Sequence, residues 1–266
     1  MLAVCATPIG NLEDVTLRVL REFGEADLVL CEDTRRTKIL LERHGIEAKL
    51  LSYHEHNEAE RTAQVLPRLV SGERIALTSD AGLPGVSDPG ARLIAAALGA
   101  GVAVTVLPGP SAVETALVAS GLLGEQYRFL GYLPRAEKAR AELWEELGRW
   151  PHAAVAFESP QRLPASLASL AARWPERSVA VCRELTKRFE EVVPGTAAEV
   201  AAQFTEPPKG EITVVFGGAP APEGDEGEAL AALSQLVEAG ARRRQAADVV
   251  SRLTGIPRNR LYRGSL

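Results

Sequence analysis

Two α/β domains followed by a small helical module are what this 266-residue sequence predicts, and three observations carry that expectation. Short apolar runs alternate with amphipathic stretches, the pattern of strand–helix units around a mainly parallel sheet with right-handed crossovers. Gly/Pro-rich turns follow three of those runs directly: Thr7 to Asn11, Thr78 to Gly90 and Pro108 to Ala112. Beyond residue 217 the composition shifts, first to a Gly- and acid-rich stretch and then to an arginine-rich end.

In chain order, Leu2–Ala6 reads as a strand, and Asp14–Gly24 as a helix with apolar Val15, Leu17, Val19, Leu20 and Phe23. Leu28–Cys31 is a strand and Thr34–His44 a helix. Arg61–Val70 is helical, Ile75–Thr78 a strand, Ala91–Leu98 an Ala-rich helix, Val102–Leu107 a strand and Ser111–Ser120 a closing helix. These make a first domain, residues 1–120. A second, residues 121–217, opens with a short strand at Phe129–Pro134 and a charged helix at Ala136–Arg149. It continues with strands at Ala153–Phe157 and Ser178–Cys182 around a helix at Pro164–Ala172. A strand pair, Phe189–Val193 and Ile212–Phe216, flanks a helix near Ala197–Phe204, which predicts a mixed sheet. The segment Gly217–Glu228 holds four Gly, two Pro and four acids and reads as a linker. Three short helices, Ala229–Ala239, Arg243–Leu253 and Arg258–Tyr262, then form a helix-turn-helix-like module over residues 229–266. Gly255 and Pro257 mark the stop and start between the last two.

Composition is that of an ordinary globular protein, 46% hydrophobic and 24% charged. No apolar run approaches the roughly 20 residues of a membrane helix, and no basic leader precedes an apolar h-region. Cys5, Cys31 and Cys182 lie far apart in strand-like runs, so reduced core cysteines in a cytoplasm are expected. Net charge is −5, but Gly240–Leu266 carries seven Arg and one acid, +6. That leaves −11 for the remainder, an acidic body with a basic appendage. Arginine without lysine favours planar, bidentate phosphate contacts with RNA or DNA; a solvated helix face is the plainer alternative.

In an open α/β sheet, ligands sit outside the carboxyl ends of the strands, where the three Gly-rich turns expose backbone polar groups. Each turn alone is an ordinary strand-to-helix connection; together they point to a cofactor cleft. The P-loop pattern, the dinucleotide fingerprint and a nucleophile elbow are all absent from the sequence. His54 and His56 diverge if helical and have no companion cluster, so no metal site is expected. Asp88, before Pro89 at a helix start, reads as a helix N-cap. Four polar strings remain: Glu32–Arg35, His54–Glu58, Glu158–Arg162 and Arg183–Lys187. Capping and surface ion pairing account for any one of them. All but the second follow an apolar strand directly, which sends them to the same carboxyl edge as the turns.

The turn at Thr7–Asn11 with Asp14–Arg18, the run Ser79–Pro84 with Ser87–Gly90, and Pro108–Ala112 together resemble the tetrapyrrole methylase superfamily. Glu32–Arg35, His54–Glu58, Gly131–Arg135 and Leu185–Lys187 are similar to one branch of it, the ribosomal RNA small subunit methyltransferase I family. The resemblance spans essentially the whole chain. It implies S-adenosylmethionine held in a cleft between two α/β domains, a homodimer, and 2′-O-methylation of a cytidine ribose in the decoding region of 16S rRNA in the small ribosomal subunit. It assigns Pro8, Ile9, Gly10, Asp80, Ala81, Gly82, Leu83, Ser111, Ala112, Phe157 and Leu185 to the cofactor. A very weakly acidic ribose hydroxyl calls for a base, for which Glu32, Asp33, Glu58, Glu184 and Lys187 are candidates; Lys187 would act only if neutral, which burial near Arg183 favours. Arg35, Arg162, Arg242, Arg243, Arg244, Arg258 and Arg260 are expected on RNA phosphates. A corrin or porphyrin precursor methyltransferase of the same fold fits the loops but not the basic module. A non-catalytic rRNA-binding assembly factor fits the module but not the cleft.

Overall fold

The computed structural model describes residues 1–85, 88–219 and 226–264. Five short parallel strands form the first sheet: β1 (Leu2–Cys5), β2 (Leu28–Cys31), β3 (Leu50–Ser52), β4 (Ile75–Thr78) and β5 (Val104–Leu107). Their order is β3-β2-β4-β1-β5. The helices between them are α1 (Leu17–Glu25), α2 (Thr34–Arg43), α3 (Glu58–Val70) and α4 (Ala91–Gly99). Because side chains alternate along a strand, Ala3, Cys5, Val29 and Ala76 pack on α1 and α2 through Val19, Phe23, Leu40 and Leu41. Their neighbours Leu2, Val4, Leu28, Leu30, Ile75 and Leu77 pack on α3 and α4 through Val65, Leu69, Leu93 and Ala97. The strands are apolar on both faces for that reason.

Two local expectations differ from what folds. The first helix starts at Leu17, not Asp14, because the Thr16 hydroxyl caps it by accepting from the Val19 amide at 3.2 Å. Leu17 therefore sits in the first turn on the solvent side, 80% exposed. The three-residue β3 has no sequence signal of its own, yet it places His54–Glu58 behind a strand as well.

The second sheet contains β6 (Tyr127–Tyr132), β7 (Ala153–Glu158), β8 (Ser178–Arg183), β9 (Glu191–Thr196) and β10 (Ile212–Phe216), in the order β6-β7-β10-β8-β9. It is mixed as expected, but β9 and β10 are not a pair: β10 runs antiparallel between β7 and β8, and β9 lies on the far side of β8. Three helices, α6 (Glu137–Gly148), α7 (Leu163–Arg173) and α8 (Ala197–Gln203), cover one face through Trp144, Leu147, Leu163, Leu167, Leu170 and Val200. The other face is covered by α5 (Ala112–Ser120), whose Val113, Ala116 and Leu117 pack on Val155, Ala180, Cys182 and Val215. The expected boundary at residue 120 thus falls at the end of a helix that follows the first sheet in sequence but shares a core with the second. Ile9, from the loop after β1, enters the same cluster.

Beyond β10, α9 (Glu226–Glu238), α10 (Arg243–Thr254) and α11 (Arg258–Gly264) build a separate small core from Ala229, Leu233, Ala246, Ala247, Val250, Ile256 and Leu261. Gly255 ends α10 in the left-handed conformation (φ 72°). Of the expected linker, Gly217 donates its amide to Ser178 at the start of β8 and Ala219 to Trp150 in the loop before β7, and Glu226–Glu228 are already helical. Residues 220–225 lie outside the described residues. Cys5, Cys31 and Cys182 are buried and free, and burial pushes their thiols up to about 12, 11 and 12. Among the described residues no helix is long and apolar enough to cross a membrane.

Candidate active site

Strand order brings the three Gly-rich turns together, since β4, β1 and β5 are immediate neighbours. The first two are tied by reciprocal bonds: the Thr7 amide donates to the Gly82 carbonyl (2.8 Å) and Gly82 to Thr7 (3.0 Å). The Thr7 hydroxyl also donates to the Ser79 carbonyl at 3.0 Å. Gly82 has φ +73°, a conformation that disfavours any Cβ. At Gly10 the constraint is space rather than angle. A Cβ there would lie 2.5 Å from Lys187 Cγ, 2.7 Å from Thr186 Oγ1 and 2.8 Å from the Leu185 carbonyl oxygen. The loop after β1 thus rests directly on the loop after β8, and the Asn11 amide donates to Thr186 Oγ1 at 3.0 Å. Two non-glycine residues of that second loop, Glu184 and Thr186, have positive φ (52° and 66°). Such backbone persists where the surroundings over-determine it.

Between the sheets these loops enclose a cavity of about 860 Å³. Its first-sheet side is formed by Ile9, Glu32, Arg36, Asp80–Leu83, Asp88 and Pro108–Glu114. Tyr127, Phe129, Tyr132, Phe157, Leu185 and the turn into β10 at Gly210–Thr213 form the other. Tyr132 is 63% exposed although it lines the cavity. A bulge in β6 at Gly131 (φ 68°) turns it there, and its ring meets Phe157 edge-on at 5.6 Å.

The first-sheet side is acidic. Asp80 accepts from the Asp33 amide at 3.0 Å and pairs with Arg36 at 3.3 Å. Burial raises the Glu32 carboxyl, and the charge of Asp80 adds to that. Burial also raises Asp88, to about 6, with Glu32 reinforcing it and the Ser79 hydroxyl opposing it. Asp88 is not the helix cap its position before Pro89 predicts. Gly90 holds the N-cap of α4 with no side-chain bond, and Asp88 lines the cavity with its carboxyl bonded by the Ser79 hydroxyl.

Of the residues expected on the cofactor, Ile9, Asp80, Ala81, Gly82, Leu83, Ser111, Ala112, Phe157 and Leu185 line the cavity. Pro8 and Gly10 are outside its lining, and Gly10 backs it by fixing the inter-sheet contact. Among the five base candidates only Glu32 lines it. Asp33 caps α2, accepting from the Arg35 amide at 2.8 Å and guanidinium at 2.7 Å, which holds its carboxyl near 2. Glu58 accepts from the Arg92 amide at 3.2 Å. Lys187 Nζ donates to Glu184 and to Glu211, each at 2.8 Å. Burial works against its charge, but those two carboxylates outweigh it and leave the ammonium above its ordinary pKa. The neutral Lys187 favoured by a nearby Arg183 is therefore corrected: the Arg183 guanidinium faces Glu191 (2.9 Å) and the Lys209 carbonyl (3.2 Å).

Arg162, expected on an RNA phosphate, is engaged within the protein. It pairs at 2.6 Å with Glu158, whose side chain is fully buried, and donates to the Leu133 carbonyl at 3.0 Å. Arg35 is exposed and pairs with Asp33. In the C-terminal helices Arg242 is the N-cap of α10, and Arg243 and Arg244 follow in its first turn. Arg258 pairs with Asp248 at 3.1 Å, and Arg260 with Glu226 at 2.5 Å. The cavity adds Arg36, Asp88, Glu114, Tyr127, Tyr132 and Glu211, none of which the sequence singled out as a site residue.

A sheet pair with Gly-rich turns facing an interdomain cavity is the architecture of a methylase class. The family model for tetrapyrrole (corrin/porphyrin) methylases matches residues 1–201. A solved uroporphyrin-III C-methyltransferase from Thermus thermophilus, complexed with S-adenyl homocysteine, shares the fold at TM-score 0.58 and 17% identity, covering 82% of this chain and 97% of that one. Nearer relatives carry the name ribosomal RNA small subunit methyltransferase I. The one from Micromonospora olivasterospora is 43% identical over 265 residues, 98% of this chain and 85% of its own length. The one from Thermotoga maritima is 42% identical over 218 residues, 82% of this chain but 98% of its own length. The chain belongs to the tetrapyrrole methylase family and, within it, to the ribosomal RNA small subunit methyltransferase I family.

Proposed function

We propose that this chain transfers a methyl group from S-adenosylmethionine to the ribose 2′-oxygen of a cytidine in the decoding region of 16S rRNA. The cavity is the observation that carries the reading. Its volume falls in the range of roughly 300–1,000 Å³ usual for cofactor sites. The donor is a sulfonium with an α-ammonium, two positive centres, and Glu32, Asp80 and Glu114 give the cavity a complementary negative side. Ile9, Ala81, Leu83, Ala112, Phe157 and Leu185 offer an apolar seat for the adenosine. When bound, the donor supplies an activated methyl that needs no metal. The chain's own residues hold the reactants in line and exclude water. Among the described residues no three His, Cys, Asp or Glu side chains group as metal ligands.

An RNA substrate, rather than a small macrocycle, is supported by the arginine-rich helices. They carry seven Arg and one acid between Gly240 and Leu266. Exposed Tyr132 offers a ring face on which a nucleobase stacks. Two copies per molecule fit the exposed Val106 on edge strand β5 and the exposed Val118 on α5, and a cytoplasmic enzyme fits the free buried cysteines. The test is methyl transfer from labelled S-adenosylmethionine to small ribosomal subunits lacking the modification. The label is expected on one cytidine 2′-oxygen. Label on a corrin precursor, or none with RNA binding intact, would refute the reading. Sedimentation of the purified protein checks the dimer.

A further inference from the structure

We infer that Asp88 is the group that accepts the 2′-hydroxyl proton during methyl transfer, a role that rests on the proposed rRNA reaction. Of the residues projected by the polar strings after the strands, Glu32, Glu158, Ser159, Pro160 and Leu185 reach the cavity, and only Glu32 and Glu158 among them carry a carboxylate. Glu158 is fully buried and already bonded by Arg162, Ser159 and Ser166. Asp80 is held by Arg36 and the Asp33 amide. Asp88 is met by a neutral donor, the Ser79 hydroxyl, instead of a guanidinium. It comes from the helix approach rather than from a strand end, and it lines the cavity opposite Tyr132, whose phenol responds to its charge.

The charged groups around Asp88 are Glu32 at the end of β2, Asp80 after β4, Arg36 on α2 and Tyr132 on β6; His54, after β3, faces Glu32. Two carboxylates and limited solvation oppose ionisation of Asp88, which makes it a stronger base once ionised. Chemically the step balances on this residue. A lone pair of O2′ forms the new O–C bond, while the S–C bond breaks and its electron pair stays on sulfur. The O2′ proton passes to an Asp88 oxygen and from there to water, and the products are the 2′-methoxy nucleotide and neutral S-adenosylhomocysteine.

The raised pKa also gives a readout that needs neither cofactor nor RNA. Asp88 is protonated more readily in the folded chain than in the unfolded one. Its unfavourable contribution is absent below about pH 4, grows as pH rises, and is complete above about 6. Asp88→Asn should therefore melt higher than wild type at pH 8, with the gap closing on acidification.

The experiment compares wild type, Asp88→Asn and Glu32→Gln by single-turnover methyl transfer to unmodified small subunits across pH, and by thermal melts of the donor-free proteins. The wild-type kcat/KM for the donor should fall on the acidic side with an inflection near 6. Asp88→Asn should lose roughly 10²-fold and that limb, while still binding S-adenosylmethionine in calorimetry. Glu32→Gln should move the limb to lower pH, because the like charge is gone. Asp88→Asn within about threefold of wild type, or an unmoved limb in Glu32→Gln, would overturn the assignment while leaving the methyltransferase reading intact. A wild type that labels no ribose overturns both. If Asp88→Asn fails to fold, the Glu32→Gln limb and the wild-type melting profile decide.

Discussion

Adding one methyl group at Gly10 should disturb two domains at once. In Gly10→Ala the new carbon would lie 2.5–2.8 Å from Lys187, Thr186 and the Leu185 carbonyl, whereas ordinary contact begins near 3.4 Å. The second-sheet loop must then retreat by roughly 0.6–0.9 Å. Lys187 can swing aside, but the Leu185 carbonyl is backbone in a loop with two residues at positive φ. Overpacking of this kind costs about 1–3 kcal/mol. A central value near 2 lowers Tm by roughly 4–8 °C for a chain of this size. The same retreat moves Leu185 off the cavity wall, and a displacement approaching 1 Å weakens a positioned site by about 10- to 100-fold. Thermal melts and calorimetric titration with S-adenosylmethionine measure the two effects. Gly99→Ala is the control: this helical glycine has nothing within 4 Å of its Cβ, so the variant should gain a few tenths to about 1 kcal/mol. If Gly10→Ala matches wild type in both assays, the inter-sheet contact at Gly10 does not hold the site.

Arg162→Met should cost about 3–5 kcal/mol in denaturant titration, because it leaves the buried Glu158 charge without its cation; a variant of wild-type stability but weaker RNA binding would restore the phosphate role. Tyr132→Ala should weaken RNA substrate binding by about 10- to 100-fold while Tyr132→Phe retains it, if stacking is its contribution; equal losses in KM for both would point to the hydroxyl. Deleting residues 220–266 should leave donor affinity intact in calorimetry, since the small core of α9–α11 is its own. RNA affinity should fall and its salt slope shrink by about 0.7–0.9 per lost phosphate contact; an unchanged slope would assign the arginines elsewhere.

Strand positions and the Gly/Pro turns were legible in the sequence because local rules set them. Ile75–Thr78 and Ile212–Phe216 are strands with the bounds the apolar runs imply. Strand order was not legible, since nothing local to Ile212–Phe216 says that β10 inserts between β7 and β8. The same limit governs the site. Glu32 follows a strand and was found. Asp88 sits before a proline at a helix start, where capping is the ordinary role, and only the neighbouring ends of β2 and β4 bring Glu32 and Asp80 against it. Lys187 read as a base because sequence shows the adjacent Arg183 but hides Glu211, which arrives from 24 residues away.

The placement of the cavity has a thermodynamic consequence. Its walls come from both sheets, so a ligand seated there is bound only when both are folded and docked. Its binding free energy is therefore shared between them, about 2.7 kcal/mol at a hundredfold excess over Kd. Any tendency of one half to open alone is suppressed by that full amount, because opening either half releases the ligand. Donor binding thus couples the unfolding of the two sheet domains, and the two halves report on each other's integrity through a molecule that belongs to neither.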